Sequence, residues 1–211
     1  MGRMRRLSVL WGFILGGIIS VLLSGNATAE SGVLTVDTAP PHAPYAYQPL
    51  SHKEEEWYGS SFWSGPDWTR VGRDWQHPGE NTSSIRSFIC PREGTLSIHG
   101  RVCKADTHGG DGVRVSIRHE SKTIWNAELA EADSQGVEPN ITLSVHSGET
   151  IRFIVHRKNA IACDTTHWDP EIQFEGGPLF KASEGFSATL DDKTPWRYEM
   201  EETGSNKTES T

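Results

Sequence analysis

Four tryptophans, Trp57, Trp63, Trp68 and Trp75, fall within the stretch EEEWYGSSFWSGPDWTRVGRDWQHPG at intervals of five to seven residues, broken by Gly, Ser, Pro and Asp. No one face of a helix or strand collects residues at so irregular a spacing, so turns must present them. A flat, exposed indole offers an apolar surface on which the C–H face of a pyranose ring stacks, while neighbouring charged groups take the hydroxyls. Trp63, Trp68 and Trp75, with Asp67, Arg70, Arg73 and Asp74 among them, are therefore the candidate ligand-binding residues. The same rings also suit the interior of a fold that lacks a large helical layer, because aromatic side chains dominate core burial.

Two polar loops form a second constellation: KADTHGGDG, residues 104–112, and ACDTTHWDPE, residues 162–171. Carboxylates and other oxygen donors gathered on loops are the ligand set of a hard cation, which makes Asp106, Asp111, Asp164 and Asp169 the candidate ligands of a structural calcium ion. Their spacing matches neither an EF-hand nor a zinc motif, and aspartates also bond their own backbone in turns. An alternative use of Asp164, His167 and Asp169 is paired-carboxylate cleavage of a polysaccharide. No glycine-rich phosphate loop, nucleophile elbow or HExxH helix is present.

The chain carries 20 Lys and Arg against 28 Asp and Glu, and three of the arginines stand in its first six residues. That balance excludes a nucleic-acid partner, which needs clustered cations to displace counterions, and it disfavours an anionic membrane surface. Residues 1–29 combine a basic start at Arg3, Arg5 and Arg6, an apolar run from Leu7 to Leu23, and Ala27-Thr28-Ala29, a pattern that signal peptidase accepts. Cleavage after Ala29 and export to the periplasm, cell envelope or medium are expected, with an uncleaved N-terminal anchor as the alternative. Export would place Cys90, Cys103 and Cys163 where disulfides persist. A hairpin at Pro91–Gly94 would set Cys90 opposite Thr95, away from Cys103, whereas Cys103 and Cys163 both end β-like runs and open polar loops and are the favoured pair, leaving one cysteine free or for a covalent partner.

After a proline-rich spacer, residues 30–44, the dominant signal is alternation of apolar and polar residues. It marks Ile85–Ile89, Leu96–His99, Val113–Ile117, Ile141–Val145, Ile151–Val155 and Ile172–Phe174. Such runs lay one face on a core and the other toward water, as antiparallel sheets do. Ser147-Gly148 between two runs of similar length has the form of a hairpin turn. Trp125–Ser134 has helical composition, but its Ile124-Trp125 start suits a strand followed by a loop. The expectation is an all-β, antiparallel two-sheet sandwich of jelly-roll type with eight or nine strands, over residues 45–198. An acidic disordered tail, residues 199–211, would follow it.

The blocks GGDGVRVSIRHESKTIWNAEL and ITLSVHSGETIRFIVHRKNAIACDTTHWDPEIQF, following His77-Pro78-Gly79, carry a resemblance. Over residues 75–175 the chain resembles the β-sandwich accessory modules attached to secreted bacterial polysaccharide lyases and glycoside hydrolases. The matching positions are Asp111, Gly112, Trp125, Gly148, Asp164, Thr166, Trp168, Asp169 and Pro170, while Gly148-Glu149 departs from the usual Gly-Asp. The resemblance implies a sandwich fold and a non-catalytic role, either in binding a poly- or oligosaccharide or as a structural accessory. A structural or protein-interaction module of the envelope is a further alternative, since fold does not fix function.

Overall fold

The computed structural model describes residues 46–191 and 194–203, all within the compact unit Pro41–Thr211. The leader, the proline-rich spacer and the residues after Thr203 lie outside the described residues. The first strands in chain order are β1 (Gln48–Pro49), β2 (Ser51–Trp57), β3 (Ser60–Ser64), β4 (Arg70–Val71), β5 (Trp75–His77) and β6 (Thr82–Ile89). Next come β7 (Gly94–His99), β8 (Val102–Lys104), β9 (Val113–His119), β10 (Lys122–Leu129) and β11 (Ile141–Val145). The last are β12 (Thr150–Arg157), β13 (Thr166–Trp168), β14 (Glu171–Phe174), β15 (Leu179–Lys181) and β16 (Trp196–Glu202).

The strands make three sheets in a sandwich-like arrangement, and no helix occurs among the described residues. Sheet one runs β1-β16-β6-β12-β9-β10, sheet two β11-β7-β14-β15, and sheet three β2-β3-β4-β5-β13-β8. Every pairing is antiparallel. The all-β, antiparallel architecture is thus the one the alternation predicts. The strand count is larger, because two- and three-residue strands such as β4, β5 and β8 are too short to show a period, and β2 to β5 turn the tryptophan-rich stretch into sheet.

Two expected connections differ. Ser147-Gly148 does not close a hairpin: β11 pairs with β7 in sheet two, whereas β12 pairs with β6 and β9 in sheet one. Pro91–Gly94 likewise carries the chain from sheet one to sheet two. The two crossings are tied together, since Cys90 N donates to Glu149 O and Gly148 N donates to Cys90 O, both at 2.8 Å. Alternation identifies the buried face of a strand but not its partner.

The start of the expected tail is corrected as well. Glu199–Glu202 belongs to β16, paired with β6 from Trp196↔Phe88 to Glu202↔Thr82. Trp196, Tyr198 and Met200 point inward, while Glu199 accepts from Ser87 Oγ, and Glu201 accepts two bonds from the Arg118 guanidinium at 2.7 and 3.3 Å. These acids are acceptors within the fold rather than a solvated run.

Aromatic rings join the sheets. Phe153 of sheet one meets Trp168 of sheet three edge-on at 5.4 Å, and Phe88 of sheet one meets Phe180 of sheet two at 5.1 Å. Trp196, 1 % exposed, contacts both Phe88 and Phe153. Trp196→Ala is expected to lower unfolding stability by about 3–5 kcal/mol. A urea titration should show a lower midpoint with an unchanged m-value.

Candidate functional site

The turn Gly65–Thr69 forms the exposed lip of sheet three. Thr69 N donates to Pro66 O, and Asp67 and Trp68 take successive φ values of 54° and 75°, the signature of a type I′ turn. Asp tolerates this conformation, whereas an indole-bearing residue enters it at a cost that the surroundings must offset. Asp67 is held by Glu80 N on its carbonyl and Asn81 Nδ2 on its carboxylate. The turn leaves Trp68 56 % exposed.

Beneath Trp68 lies the Arg70 guanidinium, 4.5 Å from its ring centroid, 4.5 Å from that of Trp57 and 4.8 Å from that of Phe62. This is cation–π geometry on three rings. Trp57 in turn stands edge-on against Trp75 at 5.1 Å and contacts His77 at 5.5 Å. Burial pushes the His77 imidazole down to about 4, and its Nδ1–H donates to Pro78 O at 2.6 Å.

The opposite wall is the 161–165 loop. Lys104, its side chain fully buried, donates to Cys163 O and pairs with Asp164 Oδ1 at 3.4 Å. The amides of Ala105 and Asp106 donate to Thr165 O. Tyr58, at φ 47°, donates from its hydroxyl to Asp106 Oδ2 at 3.3 Å and closes one end. Two adjoining depressions result. One of about 500 Å³ includes Asp67, Arg70 and Glu80 in its lining, and one of about 220 Å³ includes Trp57, His77 and Asp106. Both share Trp68 and Ile161, so the Trp68 ring is the ridge between them. Of five non-glycine residues at positive φ among the described residues, Tyr58, Asp67, Trp68 and Cys163 all border this cleft, and only Glu120 lies elsewhere. Backbone strain of this kind concentrates where function holds it.

The structure sorts the candidate binding residues. Asp67, Trp68 and Arg70 meet at the cleft. Trp63 and Trp75, 7 % and 2 % exposed, are interior. Trp63 stacks on Tyr198 at 5.2 Å and donates to Ser187 O, and Trp75 donates to Ser60 Oγ. Neither ring face is open to a sugar. The Asp74 carboxylate faces His167 at 3.5 Å, and exposed Arg73 is anchored through its backbone N to Ser60 Oγ. Trp57, Tyr58, His77 and Ile161 complete the cleft without having been singled out as binding residues. The hydrophobic pattern carries no signal for them, because they converge from three separate segments.

Asp106, Asp111, Asp164 and Asp169 are not brought together. Asp106 accepts from His108 N, Asp111 from the backbone and side chain of Asn159, and Asp169 from Ser183 N and Oγ, while Asp164 is the interior partner of Lys104. Among the described residues no group of three or more His, Cys, Asp or Glu is placed to hold a metal ion. Asp164, His167 and Asp169 likewise each have a different partner, Lys104, Asp74 and Ser183 respectively. Cys103 and Cys163 are both free thiols, as is Cys90. Side chains alternate along β8: Lys104 reaches the 161–165 loop, so Cys103 points to the other face, where its Cβ lies against Gly136.

No family model matches the chain, and no curated protein matches it. Among solved structures, "Structure of a family 35 carbohydrate binding module from an environmental isolate" is 13% identical, with 65% of this chain and 89% of that chain covered and a TM-score of 0.34. A likeness so distant carries no argument about what this chain binds.

Buried His77 and half-buried His156 are both held down at about 4, chiefly because desolvation disfavours the imidazolium. Folded-state values below the unfolded 6.5 mean that the unfolded chain takes up protons first as pH falls, so stability present above 6.5 is lost toward 4. Asp164, raised to about 6 by burial, contributes in the opposite sense: its share is complete below the unfolded carboxylate value and is lost as pH rises through 6. Two histidines outweigh one aspartate, so the melting temperature should fall between pH 6.5 and 4. His156→Asn should flatten that fall in a calorimetric pH series.

Proposed function

We propose that the protein is an exported, non-catalytic glycan-binding module whose ligand stacks on Trp68. The observation that carries this reading is Trp68 itself: an indole 56 % exposed, held at φ 75° by a hydrogen-bonded turn and backed by the Arg70 guanidinium. Large exposed apolar rings in a polar setting mark binding sites when the fold holds them rigidly. Sugars suit this one because a pyranose offers an apolar face to the ring and hydroxyls to Asp67, Arg70 and Glu80 around it. Export follows from the leader-like residues 1–29.

Affinity electrophoresis and calorimetry against a panel of neutral, amino and acidic polysaccharides test the proposal. A retained glycan should lose at least about tenfold in affinity on Trp68→Ala, with an almost unchanged melting temperature because the ring is exposed. Full retention by Trp68→Ala, or no retention across the panel, would contradict it.

A further inference from the structure

The charges of the cleft point to the class of glycan it takes, an inference that rests on the glycan-binding reading above. Asp67, Glu80 and Asp106 line the two depressions that meet at Trp68. Glu55 of β2 acts electrostatically on Arg70 of β4. The cations nearby each have contacts of their own. The Arg70 guanidinium lies on the rings of Trp57, Phe62 and Trp68. Lys104 is fully buried against Cys163 O and Asp164, and His77 is neutral at ordinary pH because burial holds it down at about 4. Exposed His108 sits on Asp106 Oδ1 at 3.1 Å, and the other oxygen of that carboxylate accepts from the Tyr58 hydroxyl. Carboxylates thus flank both sides of the Trp68 ridge, and among the described residues that line the two depressions Arg70 is the one guanidinium or ammonium, so the acids outnumber it.

We propose that the cleft selects glycans whose sugar units carry a free ammonium group, as in a deacetylated hexosamine chain. The sugar's C–H face lies on Trp68, and its ammonium donates to the carboxylates of Glu80 and Asp67 on one side or Asp106 on the other. Ammonium-to-carboxylate hydrogen bonds are among the stronger polar contacts. A uronate or sulfated chain instead brings its charge against like charges, which acts as a repulsive filter. The acidic balance of the whole chain adds a field of the same sign.

Calorimetric titration of the full chain with glucosamine, N-acetylglucosamine and glucuronate oligosaccharides of matched length, at mildly acidic pH, separates the outcomes. The glucosamine chain should bind roughly tenfold more tightly than its acetylated counterpart, and the advantage should shrink as salt is raised. Glu80→Gln, an exposed substitution, should reduce that advantage by weakening the glucosamine chain more than the acetylated chain. Equal affinity for the first two, or preference for glucuronate, overturns the charge inference and leaves glycan binding intact. Silence toward these three with retention of another neutral glycan also overturns it. Silence toward every glycan removes the underlying reading as well.

Discussion

The contact of Phe153 with Trp168 and Trp196, extended by Phe88 to Phe180, is what the rest of the molecule is built around. The described residues hold no helix, so apolar area is buried by laying sheet faces on one another, and side chains of this volume set how the faces approach. Here the rings belong to all three sheets, so the aromatic seam fixes their mutual position. Backbone bonds at Cys90 then stitch the two crossings between sheets one and two.

The cleft depends on that interior. Trp75, in the same sheet as Trp168, is buried and forms the floor on which Trp57 stands. Trp57 and Phe62 hold the Arg70 guanidinium, and Arg70 backs Trp68. Gly72 is needed for this order, since a Cβ there would lie 2.1 Å from the Trp75 ring. Trp68 is the most exposed ring of the series and Trp57 is half-buried, which makes Trp68 a platform already positioned before a ligand arrives. Preformed platforms spare the ordering cost that a mobile loop would incur on binding.

Much of the fold was legible because burial on one face of a strand imposes period two; Ile151–Val155 and Val113–Ile117 show it and lie in β12 and β9. Partner choice was not legible, and the turn at Gly148 therefore looked like a hairpin although its flanking strands join different sheets. The end of the domain was hidden for a similar reason. Glu201 is buried only because Arg118, far away in sequence, meets it. Within the candidate site, residue type alone could not separate Trp63 from Trp68. Phe62 and Trp63 are adjacent in β3 yet both buried, since that strand is covered on both faces, while Trp68 is lifted out by a turn whose positive φ values no side-chain pattern announces. Likewise, an aspartate's type does not say whether its oxygens serve a metal, a backbone amide or a buried lysine.

The central claim is that one indole, Trp68, backed by Arg70, is the contact surface. The most direct measurement follows the indole N–H resonances in a two-dimensional nitrogen–proton spectrum while a retained glycan is added. The account predicts that the Trp68 resonance moves most and Trp57 moves with it, while Trp63, Trp75, Trp168 and Trp196 stay in place. A stationary Trp68, or a largest shift at any of the buried four, would contradict it.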